Sequence, residues 1–202
     1  MIKCTVTLTG EVSRTAATRA GRDGKSFTSF GVSIPVYDKN NNSLTTEVSV
    51  SLPSEKMPQS IIQIGKRVKV TGTLYFRKVE ESIYLNLHAT SVLPDFSEID
   101  ELEGEMEFLG RMSRKPVTER RDKKNRPFQS FSASSMDSNQ NPPTFIWVHF
   151  LNFRPVDWLA PGVGLKIRGR LDLHMFNDRL DVGCTTSSIE KWTADEKEGT
   201  TK

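Results

Sequence analysis

Long apolar runs are absent from this chain of 202 residues, and cysteine is nearly absent too. No segment approaches the roughly 18 consecutive apolar residues of a membrane-spanning helix, and the N-terminus lacks a signal-peptide pattern. Cys4 and Cys184 lie far apart without CxxC spacing, which predicts two reduced buried thiols rather than a disulfide or a metal site. We therefore expect a cytoplasmic protein that does not associate with membranes.

Catalytic motifs are also lacking. The three histidines, His88, His149 and His174, have no spacing with cysteines or carboxylates that is typical of a metal site. No glycine-rich phosphate loop carries a Lys-Ser/Thr pair, and no nucleophile elbow is present. The sequence therefore predicts a protein that is not an enzyme and that needs no cofactor.

The chain as a whole has no large excess of positive or negative charge, with 28 Lys+Arg against 25 Asp+Glu. The charge is nevertheless unevenly distributed. Residues 1–94 carry +5, residues 95–107 carry −7, and residues 108–192 carry +6. Two basic segments are masked by an acidic one, so the small net charge does not exclude a polyanionic ligand.

The chain contains an internal repeat. Three groups of residues recur in order at offsets of 97 to 101: Gly10-Glu-Val-Ser-Arg14 as Gly110-Arg-Met-Ser-Arg114, Phe27-Thr-Ser-Phe30 as Phe128-Gln-Ser-Phe131, and Gly65 to Leu74 as Gly162 to Leu171. This duplication predicts a first domain over 1–94, an acidic linker over 95–107, a second domain over 108–192 and a disordered tail over 193–202.

Apolar and polar residues alternate with the period of β-strands, as in Phe30, Val32, Ile34 and Val36. Each repeat shows five such segments, with an irregular or briefly helical stretch after the third (54–64 and 152–160). This order is typical of the OB fold, a five-stranded Greek-key barrel. We predict an all-β protein of two tandem OB folds, whose long first strands bend at a glycine such as Gly10 or Gly110.

An aromatic row distinguishes the second repeat. Alternation over 145–153 places Val148 and Phe150 on the core face and a row of larger side chains on the other face: Trp147, His149, Leu151 and Phe153. Such a row is costly to expose unless a ligand covers it. The alternative for Trp147 is ordinary core or interface packing. The first repeat has only Glu47, Ser49 and Ser51 in the outward row.

Basic side chains are concentrated between the first and second strands of each repeat, where we predict loops that contact phosphate. In the first repeat these are Arg14, Arg19, Arg22 and Lys25; in the second they are Arg111, Arg114, Lys115, Arg120, Arg121, Lys123, Lys124 and Arg126. Arg168 and Arg170 are weaker candidates. The hairpin after the fourth strand adds Tyr75, Arg77 and Phe176, for which cross-strand pairing is the alternative.

Taken in order, these motifs resemble those of the bacterial single-stranded DNA-binding protein family. The resemblance implies that Trp147, Phe153 and Phe176 stack on bases, whereas the matching positions of the first repeat are Glu47, Pro53 and Val79. The acidic, Phe-terminated tip of many family members is not seen. Because most members act as tetramers of single OB domains, the resemblance implies a homodimer with four.

The leading hypothesis is a protein that coats and protects single-stranded DNA, independently of sequence, in replication, recombination, repair or mobile-element transfer. The alternative is an OB-fold scaffold of a replisome or primosome with little DNA affinity of its own. The acidic segment is either a solvated linker or a DNA mimic that competes for a basic groove.

Overall fold

A computed structural model describes residues 1–20, 24–56, 58, 60–137, 142–177 and 179–193. The described part is almost entirely β-structure, with a single turn of 3₁₀ helix at Ser54–Lys56. Its strands are β1 Ile2–Ala20, β2 Ser26–Tyr37, β3 Ser43–Pro53, β4 Arg67–Val79, β5 Ser82–Pro94, β6 Glu101–Met112, β7 Thr118–Arg121, β8 Pro127–Asp137, β9 Thr144–Asn152, β10 Gly164–Phe176 and β11 Arg179–Lys191. No helix in this part is long and apolar enough to cross a membrane.

The chain divides into two compact units. The first unit comprises Lys3–Gly104 together with the short segment Leu173–Leu180. The second comprises Met1–Ile2, Glu105–Asp172 and the described residues from Asp181 onward. The hairpin tip of the second repeat therefore belongs to the first unit.

In the first unit, β1 pairs antiparallel with both β2 and β4, which closes the barrel. The remaining ladder runs from β2 to β3 to β5 to β4, and the β3–β5 pair is parallel. Buried alternate residues fill its core, among them Leu8, Phe30, Val50, Leu74 and Leu87. This is the strand order of an OB fold.

In the second unit, β6 pairs antiparallel with both β10 and β8, so the barrel closes in the same way. The β9–β11 pair is parallel, matching β3–β5 of the first unit. Phe150 lies at the centre of an aromatic core, with its ring 4.9 Å from that of Phe108 and 5.3 Å from that of Phe131. Rings at these separations gain from edge-to-face and offset contacts as well as from burial.

The long first strands change partners close to the predicted glycines. Around Gly10, β1 passes from pairing with β4 to pairing with β2. A Cβ at Gly10 would meet the Ser33 carbonyl oxygen at 2.7 Å, and one at Gly110 would collide with the Ser134 carbonyl oxygen. Only glycine permits the close backbone approach at these positions.

The acidic segment differs in part from the predicted linker, because its second half is strand. Glu101, Glu103, Glu105 and Glu107 alternate along β6 with residues that face inward, including the buried Met106. This alternation has the period of a strand, although the run of charge suggests a linker. The predicted disordered tail falls, from residue 194, outside the described residues.

The basic segments are also not simple loops. Arg14 and Arg19 lie on β1, since this strand continues to Ala20 and pairs with β2 along its outer half. In the second repeat, Arg120 and Arg121 lie on β7, which forms a hairpin with β8. Residues 152–160, predicted as irregular or briefly helical, contain no helix.

Candidate nucleic-acid interface

The outward face of β9 carries the predicted aromatic row. Ile146, Val148 and Phe150 are buried, whereas Trp147 is 47% exposed. Phe145 and Phe153 are exposed on the same side. The predicted orientation of Trp147 is therefore confirmed, and its ring has a face available to a planar ligand.

A row of serines runs beside these rings on β8. Ser134 lies opposite Trp147, Ser132 opposite His149, and Ser130 opposite Leu151. Because serine is small, the neighbouring strand leaves the rings uncovered. The two rows form an open surface with hydroxyl groups along one side and large side chains along the other.

His149 is held in place from two sides. Its Nδ1 lies 2.8 Å from Ser132 Oγ, and its Nε2 lies 3.4 Å from Asp181 Oδ2. Both ring nitrogens are engaged within the protein, so the imidazole offers its face more readily than its edge. A stacking or positioning role fits this arrangement better than phosphate contact.

Phe153 forms a corner with Phe128 and Arg126. The two rings are 5.4 Å apart, and Arg126 Cζ lies 5.7 Å from the Phe153 centroid. Phe128 belongs to the internal repeat, but its position in the sequence does not indicate that it contacts Phe153. An aromatic pair beside a guanidinium can take a base and its phosphate together.

The β7–β8 hairpin presents five of the predicted cations around a hydrogen-bonded turn. Asp122 Oδ1 accepts hydrogen bonds from the backbone N–H groups of Lys124 (2.8 Å) and Arg126 (2.9 Å). Arg126 Nη2 lies 2.6 Å from Asp122 Oδ2. The backbone and side-chain hydrogen bonds from Arg126 lower the pKa of Asp122. Lys123 and Lys124 are exposed at the tip of this turn.

Cations also follow the far side of the serine row. Arg111 lies opposite Ser134 in the β6–β8 pair, so Arg111, Ser134 and Trp147 lie in one line across the sheet. Arg111 Nη1 donates to the Gly162 carbonyl oxygen at 3.2 Å. Arg114 and Lys115 are exposed in the connection that follows β6.

The weaker candidates Arg168 and Arg170 face carboxylates on β6. Arg168 Nη2 lies 3.3 Å from Glu107 Oε1, and Arg170 is the register partner of Glu105. On the same strand, Lys166 lies 3.6 Å from Glu190. The charge of this face is thus largely balanced within the protein, which reduces its attraction for phosphate.

In the first unit, an ion pair takes the place of the aromatic row. Arg14 Nε donates to Glu47 Oε1 at 2.9 Å, and Arg14 Nη2 donates to Ser49 Oγ at 3.3 Å. Ser13 Oγ also donates to Glu47. The predicted phosphate contact Arg14 is therefore already paired with a carboxylate.

Exposed aromatic side chains of the first unit lie instead on other strands and loops, among them its β4–β5 hairpin. The rings of Tyr75 and His88 are 4.8 Å apart. Tyr84 is exposed and lies opposite Arg77. Sequence reasoning identified Tyr75 and Arg77 but not Tyr84 or His88, although the alternation of Tyr84, Asn86 and His88 with Leu85 and Leu87 could have placed them on the outer face.

Two further residues extend the outer face of the first unit. Arg19 is the register partner of Phe27, whose ring is partly exposed. Lys25 is exposed in the connection between β1 and β2, and the predicted cation Arg22 lies outside the described residues. Phe27 was recognised in the repeat but not as a candidate contact.

Phe176 lies at the end of β10 and is 60% exposed. It belongs to the segment Leu173–Leu180 of the first unit, in which Arg179 Nη1 lies 3.1 Å from Glu81 Oε2. The ring is available for stacking, and an exposed ion pair joins its hairpin to the turn between β4 and β5.

The cysteines have no role in this surface. Both are buried, and burial raises the pKa of Cys184 to about 12, which leaves the thiol protonated. Among the residues that the structure describes, no group of three or more His, Cys, Asp or Glu side chains could hold a metal ion.

Comparison with known proteins supports the fold. No protein-family model and no curated protein sequence matches the chain. The wild-type single-stranded DNA-binding protein from Thermus aquaticus matches with a TM-score of 0.53 and 17% identity, over 94% of this chain and 93% of that one. A deletion variant of the same protein matches with a TM-score of 0.51 and 17% identity, over 94% of each chain.

At this level of identity the likeness is one of fold. It confirms the all-β class, the two tandem OB folds and, for the fold, the resemblance seen in the sequence. Both matched structures are of a protein named for DNA binding rather than for catalysis.

Proposed function

We propose that the chain binds single-stranded DNA without regard to sequence, and that the outward face of β8 and β9 is its principal contact surface. Trp147, Phe153 and Phe176 would stack on bases, and the cations of the β7–β8 hairpin would contact phosphates. The surface needs no cofactor for this activity.

The observation that carries the proposal is the exposure of Trp147 between buried neighbours, beside a row of serines that leaves its ring uncovered. Exposing an aromatic row to water is costly, and a stacked base would cover it. Stacking contributes about 1–3 kcal/mol per base and accepts every base, so the binding would be independent of sequence.

The cellular role follows from such binding. A protein of this kind would coat and protect single strands in replication, recombination, repair or mobile-element transfer. We also propose a homodimer with four OB folds, and a site in the cytoplasm, where such strands arise.

A fluorescence titration tests the proposal. Oligo-dT should quench the intrinsic tryptophan emission, and affinity should fall with salt by about 0.7 in log–log slope for each phosphate contacted. Trp147→Ala should weaken binding by roughly five- to 150-fold, the equivalent of one lost stack. Trp192→Ala is the matched control, because it removes an indole outside the aromatic row.

Equal effects of the two substitutions would count against the β9 face. Absence of both quenching and binding at low salt would instead favour an OB-fold scaffold of a replisome or primosome. The Arg14–Glu47 ion pair on the first unit is the observation that favours this second function, since it leaves the outer face of β3 without a stacking side chain.

A further inference from the structure

The most exposed large apolar side chain in the described structure lies outside the surface discussed above. Phe96 is 92% exposed, and Ile99 nearby is 61% exposed. Both belong to the connection between β5 and β6, here called the Phe96 loop (residues 95–100). Two apolar side chains directed into water at one loop indicate a surface that another molecule covers.

The Phe96 loop has a defined conformation, because Arg67 holds it at both ends. Arg67 Nη1 lies 2.6 Å from Asp100 Oδ1, and its Nε lies 3.5 Å from Asp95 Oδ2. Arg67 Nη2 also donates to the Ile99 carbonyl oxygen at 2.8 Å. At the start of the loop, Ser97 Oγ donates to Asp95 Oδ2 at 2.7 Å, and this hydrogen bond, with Arg67 beside it, lowers the pKa of Asp95. The exposure of Phe96 is thus built into the loop.

The charge around Phe96 indicates what would cover it. Residues 95–107 contain seven carboxylates and no lysine or arginine. Glu98, Glu101 and Glu103 are exposed. An aromatic ring surrounded by anionic groups has the same chemistry as a base between phosphates. It is therefore complementary to a surface that combines exposed rings with cations. The outward face of β8 and β9 together with the cations of the β7–β8 hairpin, here called the β7–β9 face, is such a surface.

We propose that, in the absence of DNA, the Phe96 loop of one copy binds the β7–β9 face of a second copy, with Phe96 beside Trp147 and the carboxylates near Lys123 and Lys124. Single-stranded DNA would displace it, because DNA offers more stacked rings and more negative charge. The proposal rests on the function proposed above, and it makes self-association and DNA binding mutually exclusive at this face.

Sedimentation velocity of the full chain tests the proposal at low and high salt, with and without oligo-dT. We expect concentration-dependent association beyond the proposed homodimer at low salt, which high salt weakens and oligo-dT reverses. Phe96→Ser and Trp147→Ala should each weaken it at least tenfold. Tyr37→Ser is the matched control, because it removes another exposed ring of the first unit, and it should leave association unchanged.

Titration of Phe96→Ser with oligo-dT separates this proposal from the previous one. DNA affinity should be equal to or tighter than that of the unchanged chain, and the thermal melting curve should be unaltered, since the Phe96 ring is almost fully solvated. If association beyond the homodimer is absent at low salt, or persists fully in Phe96→Ser or in oligo-dT, the loop contact is wrong while DNA binding stands. Loss of DNA binding in every chain would overturn the proposed function itself.

Discussion

Two aromatic residues of β9, Phe150 and Trp147, differ in their exposure to solvent. Phe150 is fully buried between Phe108 and Phe131, whereas Trp147 projects from the other face of the same strand. Strand geometry imposes this division, because successive side chains point to opposite sides. At the scale of single residues, stability and binding can therefore be tested separately.

Phe150→Ala should lower the free energy of unfolding by about 3–5 kcal/mol, because it leaves a cavity in an aromatic core. Trp147→Ala should change it far less while reducing DNA affinity. Urea denaturation followed by circular dichroism measures the first effect, and the oligo-dT titration measures the second. A similar loss of stability in both variants would show that Trp147 also packs in the core.

In the β7–β8 hairpin, one side chain, that of Asp122, both shapes the turn and forms an ion pair. Asp122 accepts two backbone hydrogen bonds that shape the turn and also pairs with the Arg126 guanidinium beside Phe153. Its lowered pKa means that these contacts persist above the ordinary Asp value of 3.8 and are lost as pH falls through the lowered one. The hairpin is therefore fully formed at neutral pH.

Asp122→Asn should tighten DNA binding and steepen its salt dependence by about 0.7 in slope, because the amide oxygen keeps the turn while Arg126 is released for a phosphate. Asp38→Asn is the matched control. Asp38 accepts equivalent hydrogen bonds from the N–H groups of Asn40 and Asn42, without an arginine partner. Weaker binding of Asp122→Asn would show that its charge is needed for the turn.

Across the whole molecule, much of the positive charge is balanced where the strand register brings carboxylates beside it. The exposed side of β6 places Glu107 beside Arg168 and Glu105 opposite Arg170. Charge on β10 is thereby offset, while the β7–β8 hairpin retains exposed lysines. This distribution would direct a polyanion to the aromatic face.

Replacing Glu105 and Glu107 together by glutamine should release the two arginines. DNA affinity at low salt should rise, and the salt slope should increase by about 0.7 for each arginine that gains a phosphate. The control is the double variant Glu55→Gln, Glu80→Gln. It removes the same amount of charge from two carboxylates that lie outside the described ion pairs. An equal response in both double variants would mean that only net charge matters.

Periodicity made much of the fold predictable. The duplicated motifs and the alternation of apolar residues gave the number of barrels, the strand order and the outward direction of Trp147, because side-chain direction in a strand depends only on local spacing. The run of glutamates pointed to a linker over residues 95–107, although part of this segment is strand β6. Its charge suggested a linker, whereas the alternation of Met106 and Phe108 with those glutamates indicated β6.

The alternation of apolar and polar residues along the chain is enough to assign each residue to one face of its strand. The neighbours of that residue depend on how the strands come together in the folded molecule: Glu47 beside Arg14, Glu107 beside Arg168, Phe128 beside Phe153, and His88 beside Tyr75. These pairs depend on the register between strands that are distant along the chain, and local spacing carries no information about that register. Since a cation beside a carboxylate attracts phosphate less than a free one, register decides which of the many basic residues remain available to DNA.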